Sequence, residues 1–583
     1  MNSRHSLRHL ACLACTAFVA LTAAPSEAHA FCGFYVAPND QPLYADATMV
    51  ALMRDGTRTV LSMSNNYKGP AADFAMVVPV PVVLQKENVK TLPMNLFEKL
   101  EKLSAPRLVE YWEQDPCAPE LDYDEKKTGG SLHGMGAIGG AAKEDDGYGV
   151  KVEAKFTVGE YDVVVLSAKD SDGLYSWLKD NKYNIPAGAP AALDPYIKSG
   201  QKFFVAKVDI TKVTRDAAGV AVLSPLRFNY ESTEFRLPVR LGLINAKGKQ
   251  DLIVYVLAKD HRYETTNYPN AFIPTNLDVS DATRAAFSPF YARLFDATIA
   301  KAGGKAVVTE YSWASGSCDP CPTPPLEDSD VATLGGDVLF GMGAAAPTDG
   351  SSGSAKEGYY GGTSQQVVLT RLHARYDATT LTDDLIFREA DAVVGGREYM
   401  TEVPPSGATG ADAGDAAAAP TYALEKGARK DTENNFQARY VIRHPWTGPI
   451  ACATPRRGNW GGPWPAKDGS YVEPPATATA TKLAGASRDS IRLPTYVTGG
   501  MDDVAAYENA LLSVSPTSPK SNGAAAKEAP RAGSLLPAGP QATRACNCDL
   551  RRQGGGTGAF GASAIAALTA LSMRRRARKR PRA

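Results

Sequence analysis

Charge of one sign is what this 583-residue sequence lacks: 63 Lys and Arg stand against 63 Asp and Glu. A chain without a cationic surplus is a poor partner for nucleic acid, which needs clustered positive charge. Histidine is scarce too. Beyond residue 30 the chain holds only His133, His261, His373 and His444, and none belongs to a His-Glu-x-x-His or similar pair. A Gly-x-Ser-x-Gly elbow is missing as well, so hydrolase chemistry lacks its usual local signs. His373, in a strand pattern, and His444, before Pro445, read as structural. Cysteine is sparse and odd in number: between the two ends lie Cys32, Cys117, Cys318, Cys321 and Cys452. These are disulfide candidates if the chain is exported, and connectivity cannot be read from their spacing.

Long apolar runs are confined to the termini, and both predict an address. Arg4 and Arg8 precede an apolar stretch from Leu10 to Ala24, then Ala28-His29-Ala30, the pattern of a signal peptide cut before Phe31. Cys12 and Cys15 sit inside that stretch without a good lipobox. At the other end Gly554 to Met573 carries no charge and is followed by Arg574, Arg575, Arg576, Arg578, Lys579, Arg580 and Arg582. Twenty such residues make a helix of about 30 Å, enough to cross a bilayer's hydrocarbon, with the basic cluster on the cytoplasmic side. Cys546-x-Cys548, a Gly-rich lead, a short helix and an Arg cluster together resemble the myxobacterial C-terminal sorting tail. That resemblance implies recognition by an envelope-processing protease, with Cys546 and Cys548 in sorting or anchoring. The expected partners are the membrane, through the C-terminal helix, and the export and sorting machinery. The expected location is the cell envelope or surface, with C-terminal anchoring.

With both ends removed, 51 basic residues face 61 acidic ones, about −10. The exported part therefore reads as mildly acidic, and nucleic acid is not among its partners.

Read against itself, the sequence suggests a duplication. Arg54-Asp55, Val60-Leu61-Ser62 and Asn66-Tyr67 match Arg215-Asp216, Val222-Leu223-Ser224 and Asn229-Tyr230. Asp73-Phe74 before Pro79-Val80 matches Glu234-Phe235 before Pro238-Val239. Glu110-Tyr111-Trp112 reaching Cys117 matches Glu310-Tyr311 and Trp313 reaching Cys318. The loops at Gly134-Met135-Gly136-Ala137 and Gly341-Met342-Gly343-Ala344 follow, then Val164-Val165-Leu166 and Val367-Val368-Leu369. The offset is about 160 early and about 200 later.

Each copy reads as mostly strand: Thr59–Ser64, Phe74–Val83, Val150–Val158, Tyr161–Leu166, Phe203–Ile210, Asp251–Leu257, Val307–Trp313 and Gln366–Tyr376 are rich in β-branched and aromatic residues. Helices are expected after an Asn95 cap, from Gly173 to Asn181, and from Ser288-Pro289 to Gly303. The expected fold class is α+β and β-rich: two tandem related domains with a few helices, then a disordered stalk and a transmembrane or sorting helix. The expected boundaries are a signal peptide 1–30, a first copy 31–200, a second copy 201–400, a linker 401–435, an ordered extension 436–464, a low-complexity stalk 465–545 and a tail 546–583.

Few residues offer chemistry. Gly134-Met135-Gly136-Ala137-Ile138-Gly139 spells a dinucleotide fingerprint, but charged loop sequence flanks it instead of a strand and a helix, so it reads as linker. Cys318-Asp319-Pro320-Cys321 lacks a second ligand pair for zinc and leaves a strand instead of opening a helix, so a disulfide fastening a loop is the better reading. Asp383-Asp384 reads as solvated. The tryptophans near Cys452 form either a carbohydrate-stacking platform or a small core around a disulfide; the latter is the simpler. No catalytic, metal-binding or cofactor-binding residue is assigned.

Phe31-Cys32-Gly33-Phe34, the Val77–Val80 stretch, Tyr161-Asp162-Val163-Val164-Val165-Leu166, Trp177-Leu178 leading to Ile185-Pro186, Cys318-x-x-Cys321-Pro322 and Arg439-Tyr440-Val441-Ile442 together resemble an exported bacterial family, domain of unknown function 2330, over residues 31 to 465. The resemblance implies an envelope protein with no assigned reaction. The expected function is a non-enzymatic surface module for binding, adhesion or envelope structure. The alternative is an envelope hydrolase or metal-dependent enzyme whose acids, such as Asp73, Glu234 or Asp383, converge only in three dimensions.

Overall fold

Nine consecutive buried residues, Gln250–Ala258, run through the middle of the molecule. A strand covered on both faces needs no alternation of apolar and polar residues, which is why it appears in the sequence as one apolar run. The computed structural model describes residues 48–64, 75–118, 149–181, 188–215, 221–245, 249–318, 321–342, 367–396, 427–466 and 490–498, with short pieces at 34–36, 44–45, 67–68, 400–403 and 421–424 and isolated positions at 183 and between 470 and 480. All of them belong to one compact unit, 1–519. The signal segment, Cys32, Asp73, the Gly134–Gly139 loop and the tail with Cys546 and Cys548 lie outside the described residues. Among the described residues no helix is long and apolar enough to cross a membrane.

In chain order the principal elements are β1 (Thr48–Asp55), β2 (Arg58–Ser64), β3 (Ala75–Val80), β4 (Val89–Thr91), α1 (Met94–Ser104), β5 (Arg107–Glu113), β6 (Val150–Val158), β7 (Tyr161–Ala168), α2 (Ser171–Asp180), α3 (Ala189–Lys198), β8 (Lys202–Val208), β9 (Leu226–Glu231), β10 (Gln250–Ala258), β11 (Arg262–Thr265), α4 (Phe287–Lys301), β12 (Val307–Ala314), β13 (Val368–Tyr376), β14 (Val393–Gly395), β15 (Asn435–Gln437) and β16 (Arg439–His444). The fold is β-rich with few helices, an α+β arrangement. A central sheet runs Arg429–Lys430, β14, β15, β12, β13, β10, β1, β2, β9, β4, and Asn270–Phe272 also pairs with β12. A second sheet runs Phe34–Val36, β3, β8, β7, β6. A small third sheet has β5 and β16 paired in parallel at its centre.

Strand alternation sends successive side chains to opposite faces, and here each face has a partner. Val50, Leu52, Val254 and Val256 pack on Met76, Val78, Val163 and Phe204 of the second sheet. Ala51, Met53, Ile253 and Leu257 pack the other way, on Leu96, Phe97, Leu100 and Leu103 of α1. The outer face of the second sheet is covered by Leu174 and Trp177 of α2 and Leu193 and Tyr196 of α3. Helix α4 packs Phe290, Tyr291 and Phe295 against Tyr440 and Ile442 of the third sheet. Each such side chain contributes about 1.5–3 kcal/mol through burial.

The helices differ from expectation in their ends. Asn95 is not a cap: α1 begins at Met94 after an extended Pro93. The helix stops because Ala105 precedes Pro106, which forces Ala105 into the extended region. Asp170 caps α2, its carboxylate accepting from the Gly173 N–H at 2.6 Å. Helix α3 is not among the expected helices; its Pro190 sits in the first turn, where no N–H is needed, and Pro195 lies inside it.

The strands do not divide into tandem bodies 31–200 and 201–400. β1, β2 and β4 of the first span share the central sheet with β9, β10, β12 and β13 of the second, because β1 has β2 on one edge and β10 in parallel on the other. The later boundaries also move. Arg429–Lys430 and Asn435, placed in a linker, lie in the central sheet. Ala478–Thr479 pairs with β5, and Ile491, Leu493 and Val497 are buried against the α4 core, so this part of the expected stalk is packed.

Candidate functional site

Two Glu-His-Arg constellations stand out, one sealed and one open. The sealed one begins at a bulge. The pairing of β12 with β13 shifts register between Thr309 and Tyr311, leaving Glu310 without an opposite residue. A bulge re-aims a side chain, and Glu310 points with Tyr311 toward the helices. Its carboxylate accepts from Arg371 Nε at 2.5 Å and from the Tyr291 hydroxyl at 2.5 Å, and meets His373 Nδ1 at 2.8 Å. His373 Nε2 lies 3.4 Å from Asp251. Arg371 continues to Glu101 at 2.6 Å, and Tyr255 donates to the same carboxylate.

Burial alone would raise the Glu310 carboxyl, but His373 and Arg371 outweigh it and hold it at about 2. Burial likewise depresses His373, and the facing Glu310 and Asp251 more than reverse this, raising it to about 9. Phe295 covers the imidazole at 4.2 Å. Glu310, His373 and Arg371 are essentially inaccessible, so this network ties three strands to α1 and α4 and offers no face to a substrate.

The open constellation lies on the third sheet. Pairing of β5 with β16 sets Glu110 opposite Ile442 and Trp112 opposite His444, all on one face. Glu110 accepts from Arg284 Nε at 2.7 Å and Nη2 at 2.9 Å, and His444 Nε2 lies 2.9 Å from the same carboxylate. The Arg284 bonds, with help from His444, lower the Glu110 carboxyl against the effect of burial. The His444 ring stacks on Trp112 at 4.4 Å.

At the end of β5 the chain is clasped. Glu113 is buried, and its carboxylate accepts from Trp446 N, Gly458 N and both Nε and Nη2 of Arg457 at 2.7–2.9 Å. A disulfide joins Cys117 to Cys452 across 335 residues. Trp464 Nε1 donates to the Glu113 carbonyl at 2.8 Å, Trp446 and Trp464 meet edge to face at 5.7 Å, and Arg443 lies 5.0 Å over Trp460. Of the six tryptophans, Trp177 and Trp313 are core residues; Trp112, Trp446, Trp460 and Trp464 are half-buried, and all four are here. Ile450, on the same loop, is exposed. The four indoles are half-buried beside the Cys117–Cys452 disulfide.

The other candidates are placed as follows. Cys318 and Cys321 are joined to each other, not to a distant partner. Glu234 and Asp383 come to one edge, but each is held by an arginine: Glu234 by Arg236 at 2.6 Å and Asp383 by Arg240. Asp384, expected to be solvated, is buried and accepts from the Tyr196 hydroxyl and the Val239 N–H. Among the described residues no three His, Cys, Asp or Glu side chains gather as metal ligands. Sequence reasoning used Glu110 and Glu310 only as markers of a repeat. A carboxylate inside an apolar strand requires a buried partner, and that was the signal available.

The profile of a family described as "Uncharacterized protein conserved in bacteria (DUF2330)" matches residues 26–388. No curated protein and no solved structure matches the chain.

Proposed function

The chain belongs to the DUF2330 family of bacterial proteins, and from that premise we propose that it is an exported, non-enzymatic binding module whose contact surface is formed by Trp446, Trp460 and Trp464 beside Cys117–Cys452. The carrying observation is that all four half-buried indoles occupy one small sheet and its clasp, while the remaining two are in the core. Indole faces fixed by a disulfide and by Glu113 suit the C–H faces of sugar rings, so the ligand is a glycan of the cell envelope. The acids nearby, Glu110 and Glu113, are bound by Arg284, His444 and Arg457 and serve to position the platform. The signal segment and the C-terminal tail support display at the envelope, with the C-terminal helix as membrane partner and sorting element.

The reading includes a duplication, in a form that the element order supports. The β1–β2 hairpin corresponds to β10–β11, α1 to α4, and β5 to β12, with Glu110-Tyr111 matching Glu310-Tyr311 and Cys117 matching Cys318. The offset is then close to 200 throughout. Arg215 and Val222, matched earlier to the hairpin, fall instead in a separate ribbon of Thr214–Arg215 and Ala221–Val222. The copies meet in the central sheet through β1, β2, β10 and β12 and are not set in tandem.

Titration of the purified protein with soluble envelope polysaccharides, read by tryptophan fluorescence, tests the function. We expect saturable quenching, with Trp464→Ala weakening binding about 3- to 10-fold, the value of one stacked aromatic contact. Unchanged fluorescence with every glycan, or turnover of a glycan, peptide or ester, would refute it.

A further inference from the structure

Among the described residues five arginines are fully buried: Arg107, Arg227, Arg262, Arg371 and Arg439. A guanidinium cannot shed its proton, so burial demands a counter-charge or a full set of acceptors. Arg227 has Asp337, Arg262 has Glu264, and Arg371 has Glu101 and Glu310. Arg107 donates to the Leu103 carbonyl. Arg439 differs. Its Nη1 donates to the Tyr111 hydroxyl at 2.9 Å, and its guanidinium lies 5.4 Å from that ring. Its Nε and Nη2 meet no acceptor, and no carboxylate among the described residues pairs with it.

Those two atoms are not an arbitrary pair. Nε–H and one Nη–H point the same way and form the side-on fork that takes the two oxygens of a carboxylate, phosphate or sulfate. Other arginines line the same face. Along β5 and β16, Arg107, Val109 and Tyr111 share a face with Arg439, Val441 and Arg443; Arg107 lies opposite Arg439, and Arg443 opposite Tyr111. Two acids on this face are already paired, Asp278 with Arg443 Nε at 2.5 Å and Glu113 with Arg457 at 2.7 Å. The row leads outward from Arg439 past Tyr111 to Arg443 and the half-exposed Trp460.

We propose that the Nε/Nη2 edge of Arg439 is the seat of one oxyanion, a carboxylate, phosphate or sulfate group, held in the interior of the third sheet. This site lies on the opposite face of β5 from Glu110 and Trp112 and does not depend on the glycan reading.

The test uses the full chain, purified and dialysed against chloride. Two measurements are made: ion chromatography of anions released on unfolding in urea, and equilibrium dialysis of the folded protein with labelled phosphate, sulfate and acetate. We expect about one oxyanion per chain, either released or bound saturably, with mutual competition. A preference for acetate identifies a carboxylate source, and a preference for phosphate or sulfate a tetrahedral one. Arg439→Lys, which keeps the charge and removes the fork, should weaken binding at least tenfold; Arg439→Met should abolish it. Circular dichroism confirms that each variant is folded, and the lysine variant serves if the methionine one is not. Neither release nor binding in the wild type, or equal binding by Arg439→Lys, overturns the proposal.

Discussion

Replacing both Cys117 and Cys452 by serine should destabilise the protein far more than replacing both Cys318 and Cys321. The two disulfides close loops of very different size, 335 residues against 3. In the chain-entropy description a cross-link restricts the unfolded ensemble in proportion to the logarithm of loop length. That gives about 6 kcal/mol for the long loop and about 2 kcal/mol for the short one, a difference of about 4 kcal/mol. The Cys117–Cys452 link also ties the end of β5 to the loop that carries Trp446 and Trp464, so its loss should release the clasp as well. Urea unfolding followed by circular dichroism measures the first effect, and glycan titration the second. The expected result is a large drop in midpoint and loss of binding for the Cys117/Cys452 variant, with a small drop and intact binding for the other. If the Cys318/Cys321 variant proves the less stable of the two, the entropic argument is wrong for this protein, and the short loop has a role in the native state that its size does not suggest.

Other outcomes follow from the sealed network. His373 has a folded-state value of about 9 against an ordinary 6.5, so its contribution is complete below pH 6.5 and disappears as pH rises through 9. Glu310, at about 2 against 4.5, contributes fully above pH 4.5 and loses its effect as pH falls toward 2. Melting temperature should therefore peak between about pH 4.5 and 6.5 and decline on both sides; a flat profile from pH 6 to 9 would contradict this. Glu310→Gln leaves Arg371 and His373 short of a buried counter-charge and should cost about 3–5 kcal/mol in urea unfolding; a change under 1 kcal/mol would mean the core relaxes to admit water. Gly396→Ala should be severe, since φ is +81° and a Cβ would lie 2.1 Å from the Gln437 carbonyl; a loss under about 1 kcal/mol would show that the segment can move.

Strands were largely legible from sequence because β-branched and aromatic runs mark them directly: Val150–Val158 was bounded correctly, and β10, β12 and β13 to within a residue or two. Their partners were not. Nothing local tells β1 that its second neighbour is β10, or β5 that its neighbour is β16, since pairing depends on edges and not on composition. Helix α3 contains two prolines; Pro190 in the first turn gives up no hydrogen bond, while Pro195 lies inside the helix. The tryptophans near Cys452 were visible as a cluster, but Trp112 and the Cys117 link were not, being separated from them by more than 300 residues. Glu310 and Arg371 could be noticed only as charges within apolar strands, and Arg439 gave no sign that its fork would remain open.

The parallel partnership of β5 and β16 has a consequence during synthesis. At roughly 5–20 residues per second, β5 emerges some 15–65 s before the strand it must lie beside. Until then β5 lacks its parallel neighbour, although β1 and α1 already have cover from β3, β7, β8 and β10. Such long-range topology makes for slow acquisition of the native state. A truncation before residue 439 removes the strand beside β5 and should yield aggregate in place of a smaller folded product.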